Sequence, residues 1–195
     1  IYWIHNPADV ERWTPGLIPL LQSGKIKQVG VSNHSLKQIN RVNEILKPAG
    51  FSVSAVQNHY SLLYRSSEEA GILDYCHQNH LTFFAYMVLE QGALSGGYDS
   101  QHPMPAGSDR AETYNNVLPQ LEKLTAAMKE MGDKKNASVA QIAIAWAIAK
   151  GTLPIIGVTK VDHVTDAARA AEIQLGADEI VTLEELAKAT GVDTR

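Results

Sequence analysis

The stretch Gly24-Lys25-Ile26-Lys27-Gln28-Val29-Gly30-Val31-Ser32-Asn33-His34-Ser35-Leu36 decides the fold. Residues 26–31 are rich in β-branched side chains and read as a strand. Ser32 and Asn33 then turn the chain polar, and Ser35 suits the cap of a helix. Leu36, Ile39, Val42, Ile45 and Leu46 follow at helical spacing, and Pro48 and Gly50 end the run. A strand, a polar turn and an amphipathic helix together form the repeating unit of parallel α/β proteins.

The same grammar extends in both directions. Residues 1–5 read as a strand, and Thr14-Pro15 opens a helix whose inner face carries Leu17, Leu20 and Leu21. Downstream, a strand is expected from residue 53 to residue 57 or slightly beyond. A helix follows from about Ser67, with Ile72, Leu73 and Cys76 facing inward. Residues 81–87 are nearly all apolar, as in a strand covered on both faces. Residues 92–108 form a long segment containing Gly, Pro and Ser, a length usually reserved for functional loops. Helices at about 111–131 and 139–149, a strand at 153–158, a helix from near Val161 and a last helix at about 177–190 complete the chain.

Strands that alternate with helices leave two architectures open, a doubly wound sheet or a barrel. A closed (β/α)8 TIM-type barrel needs eight strands and about 250 residues. The five strands read in these 195 residues cannot close one. An open piece would also expose apolar edges. The chain starts within an apolar strand, Ile1-Tyr2-Trp3-Ile4, so further strands are expected before it.

Composition narrows the function. The chain has 195 residues, 45% hydrophobic and 19% charged, an ordinary globular balance that suits one domain spanning 1–195. A net charge of −4 without a basic run argues against nucleic acid and against a membrane surface. Residues 139–149 are too few to span a bilayer and read as a buried helix. Nothing at the start resembles a signal peptide. The single cysteine, Cys76, permits no internal disulfide and fits a reducing, cytoplasmic compartment.

Polar residues gather where the strands end: His5 and Asn6, Ser32 and Asn33, Gln57 with Asn58 and His59, Tyr86, and Thr159 with Lys160. Strand ends meet solvent in any protein. Amides and hydroxyls at all five, however, favour a ligand site, because α/β folds bind ligands at that edge. Neither a G-x-G-x-x-G sequence nor a P-loop occurs. The better anion candidate is the turn of Gly157, Val158, Thr159 and Lys160, leading into a helix with Asp162, His163 and Asp166. A helix N-terminus offers free N–H groups there, and Lys160 adds a positive charge.

Several of these segments resemble one family. Ile1-Tyr2-Trp3-Ile4-His5-Asn6-Pro7 is similar to the strand-four motif of aldo-keto reductases. Residues 24–33 resemble that family's G-K-I-R-x-I-G-V-S-N segment, and Val56-Gln57 its next strand. Ala85-Tyr86-Met87-Val88-Leu89 with Gln91-Gly92 and Leu94 resembles A-Y-S-P-L-x-x-G-x-L. Residues 141–146 and Pro154-Ile155-Ile156-Gly157 continue the match in order. The resemblance implies the last five units of a (β/α)8 barrel on its NADP-binding side, with NAD also possible as cofactor.

The resemblance also implies roles. His5 would be catalytic, orienting the carbonyl of a small-molecule aldehyde or ketone. Ser32, Asn33 and Gln57 would bind the nicotinamide carboxamide, and Tyr86 would stack on the ring. Met87, Leu89, Gln91, Gly92 and Leu94 mark the segment that would wrap the pyrophosphate. Gly157, Val158, Thr159, Lys160, His163 and Asp166 would surround the adenosine phosphate, with Lys160 on the 2′-phosphate of NADP. The reaction implied is hydride transfer from nicotinamide C4 to the carbonyl carbon, with a tyrosine supplying the proton. That tyrosine, its lysine and its aspartate belong to earlier strands, so this chain alone is expected to be inactive. Tyr2 cannot replace the tyrosine, because it lies three residues before His5 and so faces the other side of the strand.

Departures from the family pattern occur at Val88 and Ile156, where proline is frequent. They occur also at His163 and Ala167, which align with an arginine and an asparagine. Two other readings compete: a cofactor-sensing regulatory barrel on a channel, without turnover, and a metal-dependent hydrolase using His5, His34 and His59. None of these motifs encodes an oligomeric state.

Overall fold

The computed structural model describes residues 1–192 and Thr194. The chain divides into two compact units, Ile1–His59 with Ser66–Ala85, and Tyr60–Arg65 with Tyr86–Arg195. Among the described residues no helix is long and apolar enough to cross a membrane.

In the first unit, β1 (Tyr2–Ile4), β2 (Val29–Ser32), β3 (Val53–His59) and all but the last residue of β4 (Thr82–Tyr86) lie side by side in chain order. β1 pairs with β2, and β2 with β3, both in parallel. Val29 and Val31 are completely buried, which explains why residues 29–31 carry no charge. Gly30 is required by close approach. A Cβ at that position would collide with two ring carbons of Trp3, its register partner on β1. The Trp3 ring in turn meets Phe84 of β4 edge-on at 5.3 Å.

Helix α3 (Leu36–Leu46) begins at Ser35, as its sequence predicts. The Ser35 side chain accepts from the Gln38 N–H while the Gln38 side chain accepts from the Ser35 N–H. Ile39, Val42 and Leu46 are fully buried. Asn43 on this helix accepts from the Val53 N–H at 2.8 Å and donates to the Tyr75 hydroxyl at 3.0 Å. It thereby fixes the start of β3 against α3.

Two expected helices of this unit are broken. The one opening at Thr14-Pro15 is two short pieces, a 3-10 turn (Thr14–Leu17) and α2 (Ile18–Gln22), and a further short helix, α1 (Val10–Trp13), precedes them. Pro15 and Pro19 each lack the N–H that a continuous helix would use. The helix expected from about Ser67 is α4 (Ser66–Glu69) followed by α5 (Ile72–Gln78). Between them Gly71 adopts a left-handed conformation, φ 73°.

The second unit is mainly helical: α6 (Asp109–Tyr114), α7 (Leu118–Lys135), α8 (Val139–Ala149), α9 (Val161–Ala170) and α10 (Ala177–Ala189). The expected helix at 111–131 is divided between α6 and α7, where Pro119 starts the second helix. Every residue from Gln141 to Ala147 on α8 is buried, and α7 and α9 both pack against it. Trp146 is fully buried and stacks on Tyr60 at 5.1 Å. β5 is only Leu153–Pro154, shorter than the expected 153–158. Leu153, Ile155 and Val158 remain exposed.

Gly30→Ala is expected to destabilise the first unit by roughly 1–3 kcal/mol, the usual cost of overpacking. Urea unfolding of the variant checks this, and an unchanged midpoint would contradict the Trp3 packing.

Candidate cofactor site

The C-terminal ends of β2 and β3 bring three expected residues together. Ser32 and Gln57 are register partners, and the Asn33 N–H donates to the Gln57 carbonyl at 3.1 Å. Ser32 is 1% exposed, and its hydroxyl has no hydrogen-bond partner among the described residues. A buried hydroxyl without a partner is costly, so it is a group suited to a ligand. Asn33 is exposed and left-handed at φ 59°, a conformation asparagine tolerates better than most residues. Gln57 is half-buried.

Behind this turn lies a polar network that sequence reasoning did not single out as support. His34 Nδ1 lies 2.8 Å from the Ser32 carbonyl, which can only accept, so Nδ1 carries the hydrogen. Nε2 is then a bare acceptor, buried and without a partner among the described residues. Burial pushes the His34 pKa below its ordinary 6.5, opposed by the bond to Ser32. Asn58 donates to the His34 carbonyl at 3.3 Å and to Ser67 Oγ at 3.1 Å. The signal for this network was present in the sequence: a histidine directly after a strand-end Ser-Asn pair.

His5 follows β1 directly and is exposed. It lines an open groove of about 670 Å³ with Tyr2, Trp3, Asp9 and Trp13. Among the described residues no group of three or more His, Cys, Asp or Glu side chains is placed to hold a metal ion, and His5, His34 and His59 form no such group.

In the second unit Tyr86 is half-buried, and its carbonyl accepts from the Tyr60 N–H at 3.2 Å. The following loop has an unusual backbone. Met87, Glu90, Gln91 and Gly92 have φ of 61°, 45°, 51° and 108°. Leu89 is half-buried, Gln91 exposed and Leu94 fully buried. Leu94 therefore serves the core, with its N–H bonded to the Leu89 carbonyl at 3.2 Å.

Gly157, Val158, Thr159 and Lys160 run exposed into α9. They lie beyond the end of β5 at Pro154 rather than on it, because the strand is short. Lys160 is the extended residue before α9 and makes no side-chain cap. His163 is exposed, with Nδ1 3.5 Å from the Thr159 N–H. Asp166 is engaged elsewhere, its carboxylate accepting from Ser138 Oγ at 3.2 Å and its carbonyl from Gln141 Nε2 at 2.9 Å. Both bonds tie α9 to α8.

The fold that these elements define is that of a TIM-type α/β barrel, of which this chain supplies part. The chain belongs to the aldo/keto reductase family, whose model matches residues 1–188. It is 35% identical over 173 residues to the chloroplastic pyridoxal reductase of Arabidopsis thaliana, a match covering 89% of this chain and 47% of that protein. It is 28% identical over 182 residues to a putative aryl-alcohol dehydrogenase of Schizosaccharomyces pombe, covering 91% of this chain and 51% of the relative. A glycerol dehydrogenase from Gluconobacter oxydans has a similar structure, with TM-score 0.75, 23% identity, and coverage of 95% of this chain and 56% of that one. A thermostable aldo-keto reductase crystallised with the inhibitor epalrestat is similar at TM-score 0.71 and 22% identity, covering 95% and 58%. The chain thus spans about half the length of the relatives it matches.

The His34 environment has a pH consequence. A histidine whose folded pKa is depressed adds stability above its unfolded value, and that stability is lost as pH falls toward the folded value. Stability is therefore expected to decline as pH drops below about 6.5. Urea midpoints between pH 7.5 and 5 should fall less steeply in His34→Gln than in the parent protein. Parallel slopes would contradict the assignment.

Proposed function

We propose that the complete protein containing this chain is an NADP(H)-dependent oxidoreductase that reduces aldehydes or ketones to alcohols, with these residues forming the cofactor-gripping part of one barrel domain. The observation that carries the proposal is the cluster of Ser32, Asn33 and Gln57. A buried hydroxyl without a partner stands in register with one carboxamide side chain and beside another. A nicotinamide carboxamide needs both donors and acceptors, and this set offers both. Relatives described as pyridoxal reductase and aryl-alcohol dehydrogenase support a small-molecule substrate with a carbonyl–alcohol couple.

When bound, the nicotinamide cofactor supplies the hydride. The chain's residues bind and orient. Ser32, Asn33 and Gln57 fix the carboxamide, and Tyr86 presents a ring face for stacking. The loop carrying Met87, Leu89, Gln91, Gly92 and Leu94 holds the pyrophosphate. Lys160, at the start of α9, meets the 2′-phosphate, with His163 beside it. His5 donates a hydrogen bond that orients the substrate carbonyl.

Two outcomes are expected with the full-length protein. NADPH should bind with a change in its fluorescence, and Lys160→Ala should weaken NADPH by about tenfold, ~1.4 kcal/mol, while leaving NADH nearly unchanged. His5→Ala should lower kcat for a small aldehyde while NADPH still binds. Absence of dinucleotide binding by the parent protein would overturn the proposal.

A further inference from the structure

Glu90 is completely buried, yet it was not among the residues expected to form the site. We infer that Glu90 is a positioning residue for the dinucleotide: its carboxylate, held by Ser61 and Tyr114, fixes the left-handed course of the loop proposed to carry the pyrophosphate. The inference rests on the cofactor reading above and adds a residue to it.

The Ser61 hydroxyl donates to one carboxylate oxygen, and the Tyr114 hydroxyl donates to the other at 2.6 Å. Ser61 Oγ also accepts from the Leu63 and Tyr64 N–H groups, each at 3.1 Å. Its acceptor capacity is thereby used, and its proton is directed at Glu90. Tyr114 is 1% exposed, and burial together with the neighbouring carboxylate pushes its pKa well up, so it remains a donor.

The backbone explains why such an anchor is needed. Glu90, Gln91 and Gly92 are consecutive left-handed residues, and Met87 is a fourth. Non-glycine residues persist in that region only where the surroundings over-determine them. The inward bonds Glu90 N–H to Met87 carbonyl, Gly92 N–H to Leu89 carbonyl and Ala93 N–H to Glu90 carbonyl close the loop tightly. The side chain of Glu90 pins the middle of that loop to residue 61 on one side and to α6 on the other. Tyr114 lies on the first helix after the long 93–108 segment, so a single bond brackets that segment as well. A carboxylate suits the position because it accepts on two oxygens from two hydroxyls.

The test uses the full-length protein and two probes. NADPH contains the pyrophosphate, whereas adenosine 2′-monophosphate carries the 2′-phosphate without either pyrophosphate phosphorus. Glu90→Ala is expected to weaken NADPH at least tenfold while changing the monophosphate by less than about twofold. Glu90→Gln keeps one acceptor for Ser61 and can donate to Tyr114, so it should restore most of the NADPH affinity. Tyr114→Phe should show the same ligand-selective loss at about threefold, and it decides the question if Glu90→Ala does not fold. Equal affinities in all variants, or equal losses for both probes, would overturn the inference. A parent protein that binds neither probe overturns the cofactor reading, and this inference with it.

Discussion

β2 hydrogen-bonds to a parallel neighbour on each side, and all four of its residues are buried. This pairing constrains what surrounds it. A strand so enclosed cannot carry polar side chains along its length, because each would need a buried partner. Polarity is displaced to its C-terminal end, where the chain turns at Ser32 and Asn33. Parallel registration then sets Gln57 of β3 beside Ser32. The candidate carboxamide grip is a consequence of sheet pairing as much as of the identities of three residues.

The same physics governs two carboxylates of the second unit, the buried Glu90 and the half-buried Glu184, each held by several donors. Glu184 accepts from Trp146 Nε1 at 3.2 Å and pairs with Arg65 at 2.8 Å and Lys150 at 2.9 Å. Glu90 takes two hydroxyl donors. Removing a partner from such a group costs more than the bond itself contributes, because desolvation is then left uncompensated. These carboxylates therefore define local geometry. The Glu184 cluster holds α8 and α10 to residue 65, and the Glu90 cluster holds the loop after β4.

Much of this was legible in the sequence where local chemistry decides the outcome. Ser35 with Gln38 forms the cap that starts α3, and the apolar spacing of Ile39, Val42 and Leu46 became its buried face. The long segment before α6 is free of regular structure as expected. Boundaries failed where one residue overrides a periodic pattern: Pro15 before α2 and Pro19 in its first turn, Gly71 between α4 and α5, and Pro119 at the start of α7. The strand at 153–158 shrank to Leu153–Pro154, although its apolar run is long enough for more. The gathering of Ser32, Asn33 and Gln57 at the ends of β2 and β3 was readable because strand ends are predictable. The Glu90 cluster was not, since its partners Ser61 and Tyr114 stand 29 and 24 residues away in the chain. Only a lone carboxylate among Ala85-Tyr86-Met87-Val88-Leu89 and Ala93-Leu94 hinted at it.

In the proposed function four short segments, residues 32–33 and 57 of the first unit and 87–94 and 157–163 of the second, each contact the dinucleotide. Backbone hydrogen–deuterium exchange on the full-length protein, with and without saturating NADPH, addresses all four at once. The account requires slower exchange at Ser32 and Asn33, at Gln57, across residues 87–94 and across residues 157–163. Protection confined to other segments, with these four unchanged, would contradict it.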